Sequence, residues 1–117
     1  MQTIDLHSNY MPESGIIYYS STMRLLLWEG YFDCIFKAIC DTTSYENYPI
    51  EFKDYNDFVG WRDDDTLSRQ INVPATLDSL HAIDIKKLEL IDFSIYEEII
   101  GFFEFIKSED VYIKSYW

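Results

Sequence analysis

The sequence predicts an α+β domain, two principal helices packed on a small sheet, and three features predict it. An apolar run over residues 23–40 follows Ser20-Ser21-Thr22, whose hydroxyls offer helix caps, and leaves only a narrow polar stripe, the pattern of a helix buried on most of its circumference. A second apolar run begins at Ser94-Ile95-Tyr96-Glu97, a capping box in which the serine and glutamate side chains each satisfy the other's backbone N–H. Short β-branched and aromatic stretches near both ends read as strands. A mainly helical domain is the alternative.

Taken in order, Ile4 and Leu6, then Ile16-Ile17-Tyr18-Tyr19 after the turn signal Pro12-Glu13-Ser14-Gly15, give one or two short strands. The 23–40 helix places Leu27, Tyr31, Cys34, Ile35 and Ala38 inward, with Asp33 and Lys37 spaced to pair one turn apart. After Pro49, residues 50–61 fit a short helix with Phe52, Tyr55 and Val59 inward and Asp54, Asp57 and Trp61 on another face. Residues 71–80 read as a connection broken by Pro74, with Thr76 as a cap for a short turn of helix. Residues 85–93 lean to strand, with helix open as an alternative. The helix behind Ser94 turns Ile95, Ile99, Phe102, Phe103 and Ile106 inward and Glu97, Gly101, Glu104 and Ser108 outward. Residues 111–117 alternate as a final strand.

Charge separates this chain from most small domains. It has 117 residues, with 21 Asp and Glu against 9 Lys and Arg, a formal charge of -12. Such a field attracts a basic partner and repels nucleic acid and anionic membranes. With 48 % hydrophobic residues and 21 aromatic ones the chain is no disordered acidic tail. At this length one domain buries about two-thirds of its unfolded surface. Cys34 and Cys40 point to different sides of the 23–40 helix and read as small buried hydrophobes in a reducing compartment. The N-terminus lacks the basic start and apolar core of a signal peptide, and no apolar run approaches the ~20 residues that span a bilayer, so a cytoplasmic protein is expected.

The charge is concentrated. Residues 41–65 hold eight acids against Lys53 and Arg62, half of the molecule's excess, interleaved with Tyr45, Tyr48, Tyr55 and Trp61. Most of the chain's aromatics must fill the core, but tyrosine and tryptophan among acids fit a binding hot spot, where they bury much area at little entropic cost. The candidate partner-binding residues are Tyr45, Glu46, Glu51, Asp54, Tyr55, Asp57, Trp61, Asp63, Asp64 and Asp65. The plainer reading of Asp63-Asp64-Asp65 is a solvated loop or a helix start.

Catalytic patterns are missing. Gly15, Gly30, Gly60 and Gly101 are isolated, so neither a P-loop nor a dinucleotide fingerprint exists, and there is no Gly-x-Ser-x-Gly elbow. His7 and His81 are the only histidines, and no flanking pattern joins either to a cysteine. Asp54-x-Asn56 starts like a calcium loop and Asp65 falls at its twelfth position, but Phe58 and Val59 stand where a ligand and the obligatory glycine belong. No metal, cofactor or enzymatic activity is expected.

In size, acidity, aromatic content and the ending Ile99-Ile100-Gly101-Phe102-Phe103-Glu104-Phe105-Ile106-Lys107-Ser108-Glu109-Asp110-Val111, the chain resembles the small immunity proteins paired with contact-dependent growth-inhibition and other polymorphic toxins of bacteria. The resemblance implies a stoichiometric inhibitor of a basic toxin, with a nuclease as the natural target because nuclease sites are cationic. It transfers no functional residues. A phage-type nucleic-acid mimic acting on a DNA-binding defence protein is the alternative; it should spread carboxylates along whole helix faces.

Overall fold

The computed structural model describes residues 2–57 and 69–116. Five strands, β1 (Gln2–Leu6), β2 (Gly15–Tyr19), β3 (Met23–Trp28), β4 (Arg69–Gln70) and β5 (Tyr112–Tyr116), form a sheet in the order β1-β3-β2-β5-β4. β1 runs parallel to β3 and the other neighbours are antiparallel. Four helices, α1 (Glu29–Thr42), α2 (Ile50–Asp57), α3 (Val73–Ala82) and α4 (Phe93–Phe105), complete the α+β fold.

The register decides which strand residues enter the core. Leu25 lies opposite Ile4 on one side and Tyr18 on the other, and Tyr18 in turn faces Ile113. Side chains on one face therefore meet in layers. α1 packs on β2 and β3, α4 reaches β1, and α3 touches both α1 and α4. Phe32, Ile35 and Ile39 of α1, Leu80 of α3, and Ile99, Phe102 and Phe103 of α4 all fall below 3 % exposure against Ile16, Tyr18, Leu25, Leu27 and Ile113 of the sheet. On the opposite face Tyr19 and Tyr112, paired in register, stack with centroids 5.8 Å apart, and the ammonium of Lys114 lies over Tyr19.

The strands at both ends, the inward set of α4 and the Asp33–Lys37 pair (3.0 Å) agree with the sequence expectation. Several boundaries do not. Residues 23–28 are strand, not the first turns of a helix: Met23, Leu25 and Leu27 are buried while Arg24 is exposed, a period of two. The Ser20 hydroxyl accepts the N–H of Thr22 and of Met23, so the expected helix cap instead closes the β2–β3 turn. Helix begins only after Trp28, whose backbone is still extended.

Residues 73–82 are a full helix rather than a broken connection. Pro74 sits in the first turn, where its missing N–H costs nothing, and the Asn72 side chain caps it by accepting the N–H of Ala75 at 3.1 Å. Residues 85–93 are not strand. They make a single 3-10 turn capped by Asp84, then an irregular stretch that buries Leu88 and Ile91 and exposes Leu90. α4 starts two residues early because Asp92, not Ser94, is its cap, accepting the N–H of Ile95 at 2.9 Å. Neither cysteine is fully buried: Cys34 is half-buried and Cys40 exposed, its sulfur accepting the Tyr48 hydroxyl at 3.1 Å.

Candidate partner-binding face

Residues 7–14 set one wall of an open cleft. The Asp5 carboxylate accepts the backbone N–H of His7 and Ser8, each at 2.9 Å, and these bonds hold it below its ordinary pKa. The His7 ring is buried against Gly15, where a Cβ would meet it at 2.8 Å, and its Nε2 bonds the Glu13 carbonyl. The N–H of Glu29 then bonds the carbonyl of Ser14 at 3.0 Å and ties the loop to the start of α1.

Trp28 stands where β3 becomes α1. Its indole stacks on Tyr10 and donates to Glu13 Oε1 at 3.3 Å, while Tyr10 and Tyr31 join through their hydroxyls at 2.8 Å. Burial, with Tyr10 adding to it, pushes Tyr31 up to about 12. On the other side Tyr55 of α2 donates to Asp33 at 2.9 Å; burial first, then this carboxylate, raises the phenol well above its usual range.

Between these walls lies a cleft of about 700 Å³ lined by Glu13, Trp28, Glu29, Gly30, Asp33 and Tyr55, together with Pro12 and Ser14. Three carboxylates converge there. Burial and the nearby charge of Asp33 raise the Glu29 carboxyl above its ordinary pKa. Lys37 pairs with Asp33 but with neither of the other two acids. Such a cleft is complementary to a cationic side chain, which would meet carboxylate acceptors beside Trp28 and Tyr55.

The sequence-derived candidates divide. Tyr45 is exposed and donates to both oxygens of Asp57, at 2.9 and 2.7 Å, which raises its pKa; the Lys53 ammonium lies over its ring. Glu46 is exposed beside them. Asp54 is half-buried and ion-paired with Arg69, so part of its charge is spent inside the fold. Tyr55 lines the cleft. Glu51 is a correction: it is wholly buried and touches no solvent, since α2 turns it toward Tyr18 and Thr76. Trp61, Asp63, Asp64 and Asp65, together with the inward position assigned to Val59, lie outside the described residues.

Glu13, Trp28, Glu29 and Asp33 were not among those candidates. Their one sequence signal is that Glu29 and Asp33, four apart, place like charges on one helix face, a mildly destabilising arrangement that suits a binding role. Among the described residues no three His, Cys, Asp or Glu side chains are grouped to hold a metal ion, and no helix is long and apolar enough to cross a membrane. No family model matches the chain, and no curated protein or solved structure is significantly similar to it.

Proposed function

We propose that the protein is a non-catalytic, cytoplasmic inhibitor that binds a basic protein one-to-one, as an immunity protein binds its toxin, with a nuclease as the natural target. The observation that carries this reading is the convergence of Glu13, Glu29 and Asp33 on an open cleft walled by Trp28 and Tyr55. α2 joins that cleft to the Tyr45, Glu46 and Asp57 surface, since Tyr55 faces the cleft and Asp57 bonds Tyr45. The cleft is an acidic and aromatic surface suited to lysines and arginines around a phosphate-binding site, with the Tyr45–Asp57 pair on another side of α2. It would draw such a partner in by long-range attraction and hold it by desolvated contacts.

Overall dimensions of 32 × 30 × 29 Å support this reading over an elongated mimic of nucleic acid. The test is co-expression with a toxin encoded beside the gene, read as cell survival, and co-purification of a one-to-one complex. Survival and a stable complex are expected. A folded protein that neither binds nor protects would overturn the proposal.

A further inference from the structure

Among the described residues Glu51 is the one acidic side chain placed in the core, and it joins three elements. It belongs to α2, is 0 % exposed, and its Oε2 accepts the Tyr18 hydroxyl of β2 at 3.0 Å and the Thr76 hydroxyl of α3 at 2.7 Å. Oε1, equally buried, has no hydrogen-bond partner among the described residues. The surroundings are apolar: Phe52 stacks on Phe32 of α1 with centroids 4.6 Å apart, and the Tyr18 ring meets the edge of Phe103 of α4.

No cation faces the carboxyl from any described element. β2 supplies the Tyr18 phenol, α3 the non-titrating Thr76 hydroxyl, and α1 and α4 supply aromatic rings. On α2 itself Asp54 adds negative charge, and Arg69 of β4 is committed to Asp54. A carboxylate in this position would be charged, dry and half-solvated by its neighbours, a costly state, whereas the neutral acid keeps both bonds to Oε2 and places its proton on Oε1.

We infer that Glu51 is a proton-controlled latch for α2: neutral, it pins the helix to β2 and α3, and on losing its proton it releases the helix. Burial outweighs the two hydroxyl bonds and lifts this carboxyl to about 7, close to neutral pH. Tyr55 and Asp57 share α2 with the latch, and Asp57 holds Tyr45, so its release would loosen the segment that presents them. The inference concerns the free protein and does not depend on what the protein inhibits.

The experiment uses the full chain without a partner. Amide exchange in α2, corrected for intrinsic rates, is followed from pH 5 to 8 in the wild type and in Glu51→Gln. Glutamine keeps the acceptor oxygen and cannot ionise. In the wild type, protection of residues 50–57 should fall more than about tenfold over this range while α4 changes much less; in Glu51→Gln the α2 protection should stay level. The two histidines remain in both proteins, so the difference isolates Glu51. Equal pH responses in the two proteins would overturn the inference, as would a loss spread evenly over every helix. Should Glu51→Gln fail to fold, the carbon resonance of the Glu51 carboxyl in the wild type decides: titration near the ordinary glutamate value would also overturn it.

Discussion

The indole of Trp28 lies face to face with the phenol ring of Tyr10, centroids 3.9 Å apart and planes within 1° of parallel. That stack fixes the aromatic wall of the acidic cleft and depends on a third residue. A Cβ added to Gly30 would fall 2.4 Å from the same indole, so the ring can lie across the first turn of α1 only because residue 30 has no side chain.

Gly30→Ala should therefore uncouple stability from binding. Alanine is favoured over glycine by up to about 1 kcal/mol inside a helix, and Gly30 is half-buried in the first turn of α1. Displacing the ring forfeits a stacked contact of about 0.5–1.5 kcal/mol. Thermal unfolding should shift by no more than about 1 kcal/mol, while the near-ultraviolet circular dichroism of the tryptophan changes and partner affinity falls. An unaltered aromatic spectrum would show that the ring does not occupy this position.

Glu29 offers a test of sign. Its folded carboxyl is raised, by burial first and by Asp33 second, so ionisation is harder in the folded than in the unfolded chain. Stability from this group is complete below its unfolded pKa and is lost as pH rises through the folded one. At neutral pH Glu29→Gln should melt no lower than the wild type, and slightly higher, while binding a basic partner more weakly. Binding of a cation should also lower that pKa, so calorimetry at an acidic pH where the folded carboxyl is partly protonated, in buffers of different ionisation enthalpy, should detect proton release that Glu29→Gln lacks. A variant that melts lower and binds normally would remove Glu29 from the binding face.

Core and surface should separate cleanly. Ile35→Ala and Phe102→Ala, at sites 2 % and 0 % exposed, should each cost about 2–5 kcal/mol. Asn72→Ala, which deletes the α3 cap, should cost about 1 kcal/mol. Asp54→Ala breaks an ion pair whose arginine is half exposed and should cost no more than about 1 kcal/mol. Denaturant melts of the four variants check this order; an Asp54→Ala loss equal to that of Phe102→Ala would mean the acid is a structural anchor.

Residues whose short-range pattern agreed with their long-range pairing were legible in advance. The inward set of α4 repeats every three to four residues, and β5 alternates. Met23 to Trp28 were misread because Leu-Leu-Leu suits a helix as well as a strand, and only the pairing of Leu25 with Ile4 and Tyr18 decides between them. Capping side chains misled twice for one reason: the hydroxyl of Ser20 and the carboxylate of Asp92 each bond whichever backbone N–H the turn presents. At the site, Tyr45 and Asp57 were recoverable from composition. Glu13, Glu29 and Asp33 were not, because three acids from a loop and a helix meet only through the fold.

Location and net charge can be told apart as causes of binding. Glu13→Lys with Asp33→Lys alters the cleft, and Glu97→Lys with Glu98→Lys alters the exposed side of α4; both pairs change the net charge by the same amount. If attraction were only a matter of total charge, the two should slow association equally. If the cleft is the contact, both should slow association, but only the cleft pair should also speed dissociation, since an acid facing a buried lysine or arginine is worth about 2–5 kcal/mol when lost. Salt supplies the second axis. Raising ionic strength beyond the ~8 Å screening length of physiological buffer should reduce the wild-type on-rate steeply and leave its off-rate nearly unchanged. Stopped-flow association and competition dissociation with the proposed basic partner measure both, with circular dichroism to establish that each pair variant is folded. Equal off-rates for the two pairs would exclude the Trp28 cleft as the contact and leave the Tyr45–Asp57 surface as the place to look.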